Sequence, residues 1–305
     1  MSIALPISVV IASLGGEAIS KTIKMLNTSA YRPTEILICL PHSEVRRVPD
    51  ELAGVANVQI IATHLRGQVS QRSVGLRVAR CEYVLQLDDD VLLFEGTLLR
   101  LLEEVRLKGR GSIVAPLFIP DGESTVSNTT ETGLLAFCSS FYFSIVCGAF
   151  FGRKRFGTIS RSGIAFGISS LKDSSELVES DWIPGGAVMC HASDLILDDY
   201  YPYSGKAYSE DLIHSVLWKR QGCRFWTVLK APAEINVSIE SFSWQQIISR
   251  FRAHKYVVTL IRGQLWRTYV WFIFYCLKNL HKIFKENSFS RETLSSNTPV
   301  NSSRE

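Results

Sequence analysis

Through roughly the first hundred residues, short β-branched apolar runs alternate with stretches of helical periodicity, and few folds accommodate that rhythm. "ISVVIAS" ends in the turn "LGGE", after which Ile19, Ile23 and Leu26 recur at helical spacing through "EAISKTIKML". "TEILICL" is a second buried run stopped by Pro41, "VQIIAT" a third strand, "SQRSVGLRVA" a helix and "YVLQL" a fourth strand. "GTLLRLLEEVRLKG" sets Leu98, Leu101, Leu102 and Val105 on one helical face and closes at Gly109, and "SIVAPLF" is a further strand. The alternation predicts an α/β fold, a mostly parallel sheet flanked by helices. Ligands of such sheets bind beyond the carboxyl ends of the strands, so the loops after "VVIAS", "LICL" and "LQL" face one crevice.

Into that crevice the fourth strand delivers three consecutive carboxylates, Asp88, Asp89 and Asp90. Adjacent like charges repel one another unless water or a cation screens them. Asp90 with a neighbour can hold a hard divalent ion, Mn²⁺ or Mg²⁺, through oxygen ligands while leaving positions open for phosphate oxygens. The plain alternative is a solvated acidic turn. Arg72, in the helix leading to this strand, can reach the same crevice to pair with a phosphate or to hold a carboxylate, or it is a surface arginine.

Two later segments carry further polar signals. In "YSEDLIHSVLWKRQGCRFW", Ser209 is placed to cap a helix whose first turn holds Glu210 and Asp211 and which Gly222 ends. In "DWIPGGAVMC", Pro184, Gly185 and Gly186 interrupt an apolar strand where backbone can come close to a ligand.

The seven cysteines are odd in number and contain no CxxC pair, which predicts reduced, mostly buried thiols rather than a disulfide framework or zinc site. The six histidines show no ligand spacing and are expected on the surface or satisfied in the core. "MSIALPISVVIAS" has no basic segment before its apolar run, so no signal peptide is expected. Residues 133–151 are free of charge and Arg153, Lys154 and Arg155 follow; the expectation is a buried or interface-resting hairpin, since a single crossing would put the two acidic motifs on opposite sides of a membrane.

From Ser241 to Lys285 there are eight Lys and Arg and no Asp or Glu, although the whole chain is only +4. "TYVWFIFYCL" is too short to span a bilayer and is flanked by Arg262, Arg267, Lys278 and Lys282 with Trp266 and Trp271. That composition suits a helix lying in a membrane interface, or one packed on the domain with a solvated basic face. No groove-reading or stacking motif accompanies the charge, so no nucleic-acid partner is expected. Residues 286–305 have the composition of a disordered tail.

Taken in order, these motifs resemble glycosyltransferase family 2, whose members have the GT-A fold. "ISVVIAS" is similar to the family's first nucleotide-binding strand, "LQLDDDV" to its metal-binding DxD, "WIPGGAVM" to its acceptor-side strand and "SEDLIHSVLWKRQG" to its ED helix. The resemblance implies that Ala12 and Ser13 contact the base, that Asp88 and Asp89 lie against the ribose, and that Asp90 with Asp88 binds the ion. It implies Asp211, beside Glu210, as general base, and Trp182, Gly185 and Gly186 on the acceptor and donor-sugar side. Arg72 joins the nucleotide-sugar site. The family's second-strand aspartate is absent, with Ser43 or Glu44 as substitutes, and its histidine after the ED helix is replaced in "APAEINVS" by Asn236. "QGCRFW" holds Gln221 and Arg224 but Phe225 where processive members have tryptophan, which implies a non-processive enzyme.

The expected organisation is a GT-A domain over 1–240, with a nucleotide-sugar half (1–112) and an acceptor half (113–240), then a basic amphipathic membrane-associating helical region (241–285). The implied activity is inverting, metal-dependent transfer from a nucleoside diphosphate sugar to a glycan or lipid-linked acceptor in surface polysaccharide or glycolipid synthesis. The implied place is the cytoplasm, peripheral on the cytosolic face of the inner membrane. Two rivals remain: a catalytically silent binding protein on the same fold, and a nucleotidyltransferase, whose phosphate loop needs an arginine that "ASLGGEAISK" lacks.

Overall fold

The structure, a computed structural model, describes residues 2–52, 54–120, 134–148, 156–168, 176–235 and 243–279. Its strands are β1 (Ile3–Ala12), β2 (Tyr31–Pro41), β3 (Val58–Thr63), β4 (Tyr83–Asp88), β5 (Val91–Leu93), β6 (Ser112–Pro120), β7 (Leu177–Ser180), β8 (Ala187–His191) and β9 (Arg224–Ile235). Its helices are α1 (Glu17–Thr28), α2 (Gln68–Val78), α3 (Thr97–Lys108), α4 (Leu134–Cys147), α5 (Glu210–Arg220) and α6 (Trp244–Leu260), followed by a helix over 265–279.

The strands form one sheet in the order β3-β2-β1-β4-β8-β6-β9-β5, with β7 added to β9. β3, β2, β1 and β4 run parallel, as the strand-helix alternation predicts. β8 then enters antiparallel beside β4, and β6 and β9 are again a parallel pair. β1, β2 and β4 are buried on both faces along most of their length, which is why they read as continuous apolar runs rather than alternating ones, while β3 at the edge is largely uncovered. One face packs on α1 and α3 through Ile19, Ile23, Leu98, Leu101 and Leu102; α2 covers the other. Gly75 brings α2 onto the sheet, because a Cβ there would lie 2.5 Å from Cys39 Sγ and 2.6 Å from Val10 Cγ1.

The antiparallel entry of β8 matters for function. It lays the loop before it, 181–186, alongside the end of β4, where Asp88 N–H donates to the Gly186 carbonyl (2.8 Å).

Two expectations are corrected. The apolar run is not a hairpin in its described part but a single helix, α4, of 14 residues. No glycine or proline interrupts Leu134–Cys147, and the chain first turns at Gly148 (φ 69°). And "DWIPGGAVMC" is strand only from Ala187, the residues before it forming a loop. Residues 149–155, 236–242 and 280–305, which include Arg153, Lys154, Arg155, Asn236, Lys282, Lys285 and the expected disordered tail, lie outside the described residues.

α6 buries Ile247, Ala253, His254, Val257 and Val258, and its Val257 shares an apolar cluster with Leu212 and Ile213 of α5. The helix over 265–279 stacks on α6 through Phe251–Phe272 (centroids 4.0 Å) and His254–Trp271 (4.3 Å). Among the described residues, no helix is long and apolar enough to cross a membrane.

Candidate active site

The ends of three parallel strands meet in register, Ala12 opposite Cys39 on one side and Asp88 on the other. Gln71 of α2 ties this edge together, its amide donating to the carbonyls of Ser13 (2.8 Å) and Cys39 (2.7 Å). The strand ends expected to face one crevice are therefore brought together at one edge and tied by Gln71.

The three aspartates leave β4 in different directions, so their mutual repulsion is eased by separate partners. Asp89 Oδ2 accepts from Ser13 Oγ at 2.5 Å, and Ser13 Oγ in turn accepts from Gly15 N–H (2.9 Å), which joins Asp89 to the end of β1. Asp88 turns the other way: its Oδ1 accepts from Gln68 Nε2 (3.0 Å) and from Arg72. Burial pushes its pKa up to about 6, Arg72 opposing and Glu210 and Asp90 adding to the rise. Asp90 is also raised, by burial and then by Asp89, with the Lys206 ammonium opposing. Lys206, in the loop before α5, is thus a cation on the crevice that no motif marks.

Arg72 lies beneath these groups and is 2% exposed. Its Nη2 pairs with Asp88 and its Nη1 with Glu210 Oε1 (2.7 Å), 138 residues away in sequence, so the guanidinium joins β4 to α5. Burial disfavours its charge, but the two carboxylates more than compensate and hold it protonated. Of the readings open from sequence, the arginine holding carboxylates is the one found, and Arg72 is buried rather than a surface residue. The other Glu210 oxygen accepts from Tyr200 Oη (3.0 Å).

Tyr200 lies against His214 (centroids 4.8 Å), which stacks on Trp218 (3.4 Å). Burial and then the Arg72 charge push the His214 pKa well down, so its ring is neutral. Among the described residues, Nε2 of His214 and Nε of Arg72 are buried without a hydrogen-bond partner, and both residues line one cavity of about 10 Å³. His214 is therefore not the satisfied core histidine that sequence spacing suggests.

Asp211 differs from its neighbour. It is partly open, and its Oδ1 accepts from the Leu212 N–H at 2.9 Å. Desolvation and then the Glu210 charge push its pKa up to about 7. Gly185 lies directly against the pair: a Cβ there would come within 2.6 Å of Glu210 Oε1 and 3.4 Å of Asp211 Cβ. Gly186 sits between Phe118 and Asp88, where a Cβ would be 3.4 Å from Phe118 Cζ and 3.5 Å from Asp88 Oδ2. Gly185→Ala is expected to cost about 1–3 kcal/mol in urea unfolding and to lower activity, because Glu210 is held at both oxygens and cannot step aside.

Trp182 is farther out. Its Nε1 donates to the Phe166 carbonyl (3.1 Å), and it lines a cavity of about 160 Å³ with Phe118, Gly167, Ile168, Pro184 and Thr227. Glu44 follows β2 in a 3₁₀ turn, its carboxylate paired with Arg47 (3.1 Å) and Arg66 (3.4 Å); Ser43 beside it is exposed. Ser209 precedes α5 but does not cap it through its side chain, because it takes a left-handed conformation (φ 54°) that turns the hydroxyl from the helix end.

Asp88 and Asp90 offer hard carboxylate oxygens, with Oδ1 of Asp88 already engaged. No group of three or more His, Cys, Asp or Glu suited to an ion occurs among the described residues. The donor set thus fits an ion that takes one or two carboxylates and completes its shell with phosphate oxygens and water, rather than an all-protein cage.

The family model described as glycosyl transferase family 2 matches residues 8–160, half of the chain, a span that holds the three aspartates and ends before α5. No curated protein matches the sequence. Among solved structures the chain is similar to GalNAc-T7, crystallised with UDP, GalNAc and Mn²⁺, at 15% identity and TM-score 0.54 over 77% of this chain and 43% of that one. It is also similar to S. aureus TarS 1-349, at 10% identity and TM-score 0.50 over 84% of this chain and 65% of that one. The likeness is one of fold, and this chain spans less than two thirds of either protein.

Proposed function

Since the chain belongs to glycosyl transferase family 2, we propose that it moves a sugar from a nucleoside diphosphate sugar to a hydroxyl of a glycan or lipid-linked acceptor. The observation that carries this reading is the division of labour in the Glu210–Asp211 pair. Glu210 is fixed by Arg72 and Tyr200, while Asp211 is partly open at the crevice with its pKa raised to about 7. A carboxylate of that basicity is matched to removing a proton near neutral pH.

In this reading residues 1–112 hold the donor. Ala12 and Ser13 lie under the base, Asp89 and Asp88 near the ribose, and Glu44 at the end of β2 takes the place of a base-reading aspartate. Asp90 and Asp88 hold a divalent ion, Mn²⁺ or Mg²⁺; when bound, it supplies the positive charge that stabilises a leaving diphosphate. The acceptor lies over Gly185, Gly186 and Trp182, within residues 113–240. Its hydroxyl oxygen bonds to the anomeric carbon as the proton passes to Asp211. The anomeric carbon–oxygen bond breaks, and the nucleoside diphosphate leaves with the electron pair. One displacement inverts the configuration, and no carboxylate nucleophile is required. GalNAc-T7 was crystallised with UDP and Mn²⁺, which supports a nucleotide donor and a divalent ion here. Residues 241–285, basic and aromatic, hold this site against the cytosolic face of a membrane that carries the acceptor, in surface polysaccharide or glycolipid synthesis.

Calorimetric titration with UDP, GDP and dTDP, with and without Mn²⁺, tests the donor site. One nucleotide is expected to bind with metal dependence, and Asp90→Ala to weaken it at least about tenfold, the loss of one ion ligand. Binding that ignores both metal and Asp90 would remove the ion from this account.

A further inference from the structure

A second, larger cavity of about 650 Å³ opens where the carboxyl ends of α5 and α6 converge with residues 159–161 and the turn 261–264. Ile159, Val216, Leu260 and Ile261 give it apolar walls, and Arg161, Lys219, Arg220 and Arg262 line it as cations. Val216, Lys219 and Arg220 bring α5 to this cavity five to nine residues beyond Asp211, about 8–13 Å along the helix axis, outside the donor crevice.

Two of the four cations are engaged in the fold. Lys219 pairs with Asp181 at 2.6 Å, and Arg220 Nη2 donates to the Leu260 carbonyl at 3.0 Å, as cations near helix carboxyl ends commonly do. Arg161 and Arg262 are exposed, and neither side chain has a hydrogen-bond or ion-pair partner among the described residues. Arg262 has φ 53°, a left-handed conformation that glycine adopts without strain and that costs an arginine about 1–2 kcal/mol. A guanidinium is thus presented at this cavity against a backbone preference.

Gln264 lines the cavity and leads directly into the helix over 265–279. The outward side of that helix carries Trp266, Tyr269, Ile273, Phe274 and Leu277, each between 46% and 57% exposed. α4 extends the apolar face: Tyr142 meets Phe274 edge-on (5.1 Å), Arg267 Nη1 bonds the Ser144 carbonyl (3.1 Å), and Phe141 and Ile145 are exposed beside them. Apolar and aromatic side chains beside exposed arginines complement the boundary between acyl chains and anionic headgroups.

We propose that the Arg161–Arg262 cavity binds the phosphate of an anionic lipid headgroup while the outward face of helix 265–279 and α4 beds into the interface. This rests on the membrane-surface reading above and adds to it a defined phosphate site, distant from the donor diphosphate.

The test is cosedimentation of the full chain with vesicles of phosphatidylcholine alone or with about one third phosphatidylglycerol. Wild type is expected to favour the anionic vesicles, and Arg161→Gln/Arg262→Gln to bind them about tenfold more weakly. Lys21→Gln/Lys24→Gln, which removes equal charge from α1, should remain within about twofold of wild type. Trp266→Ser/Leu277→Ser should weaken binding to both vesicles. Equal losses in the two charge variants, or none in the arginine pair, would overturn the cavity while leaving membrane association standing. Absence of wild-type binding to either vesicle would overturn both. Calorimetric binding of inorganic phosphate that needs the two arginines, with no preference for anionic vesicles, would assign the cavity to a free phosphate and overturn the lipid proposal.

Discussion

Asp211→Asn is expected to lower glycosyl transfer about 10²- to 10⁴-fold, the usual worth of a general base, and yet to raise the melting temperature at pH 8. Both effects come from one property. Burial and the Glu210 charge lift the Asp211 pKa from 3.8 to about 7 in the folded chain. A carboxyl raised in this way favours the fold fully below its unfolded pKa, and that contribution is lost as pH rises through about 7. At pH 8 the charge opposes folding, so a neutral amide relieves it; at pH 4 the relief disappears. Asparagine retains the oxygen that accepts the Leu212 N–H, so the helix start is preserved. For a chain of this size ~1 kcal/mol corresponds to about 2–4 °C, so the gain at pH 8 is a few degrees by calorimetry. In wild type the same ionisation makes kcat/KM rise with pH through about 7. A pH-independent melting difference, or transfer that survives in the variant, would take the base away from Asp211.

Arg72→Met is expected to cost about 3–5 kcal/mol in urea unfolding, with loss of transfer beyond about 100-fold. The guanidinium is buried between Asp88 and Glu210, and its removal leaves two carboxylates close together without their common cation. Asp88 already has its pKa pushed up to about 6 with Arg72 in place, so without it the proton is held still more tightly and the oxygen offered to an ion is lost. Arg72→Lys should recover little, since an ammonium cannot reach both carboxylates with a planar fork. In the double variant with Glu210→Gln the penalty should shrink, because one of the stranded charges is gone. If Arg72→Met unfolds within about 1 kcal/mol of wild type, the clamp is not what joins the two halves.

The fold of the first hundred residues was legible from sequence because its signals are local. β-branched runs, helical spacing at Ile19, Ile23 and Leu26, and the turn glycines each specify their own few residues. Parallel pairing then brings Ser13, Cys39 and Asp88 to one edge without further information. The acidic start of α5 was legible for the same reason, although the role given to Ser209 was not, since a left-handed residue leaves no mark in composition.

What could not be read was whatever depends on distant side chains meeting. Arg72 and Glu210 are far apart in sequence, and only their pairing in the folded chain shows that the arginine faces inward. Tyr200 and Lys206 stand in "DDYYPYSGKAYSED", a polar loop with no periodicity, and reach the site only because β8 turns the chain back over the crevice. His214 showed no ligand spacing, yet its burial against Trp218 and Tyr200 makes it part of the same cluster. The expected hairpin over 133–151 was an inference from membrane topology; locally, the absence of turn residues before Gly148 already favoured one helix.

The most direct test of the central claim is release of nucleoside diphosphate from a panel of UDP-, GDP- and dTDP-sugars, with Mn²⁺ present, by wild type and Asp211→Asn. The account predicts that one donor class yields its diphosphate with wild type, and that this release falls at least about 100-fold in the variant. No release from any donor, or equal release by the folded variant, would contradict it and leave a GT-A scaffold that binds without turning over.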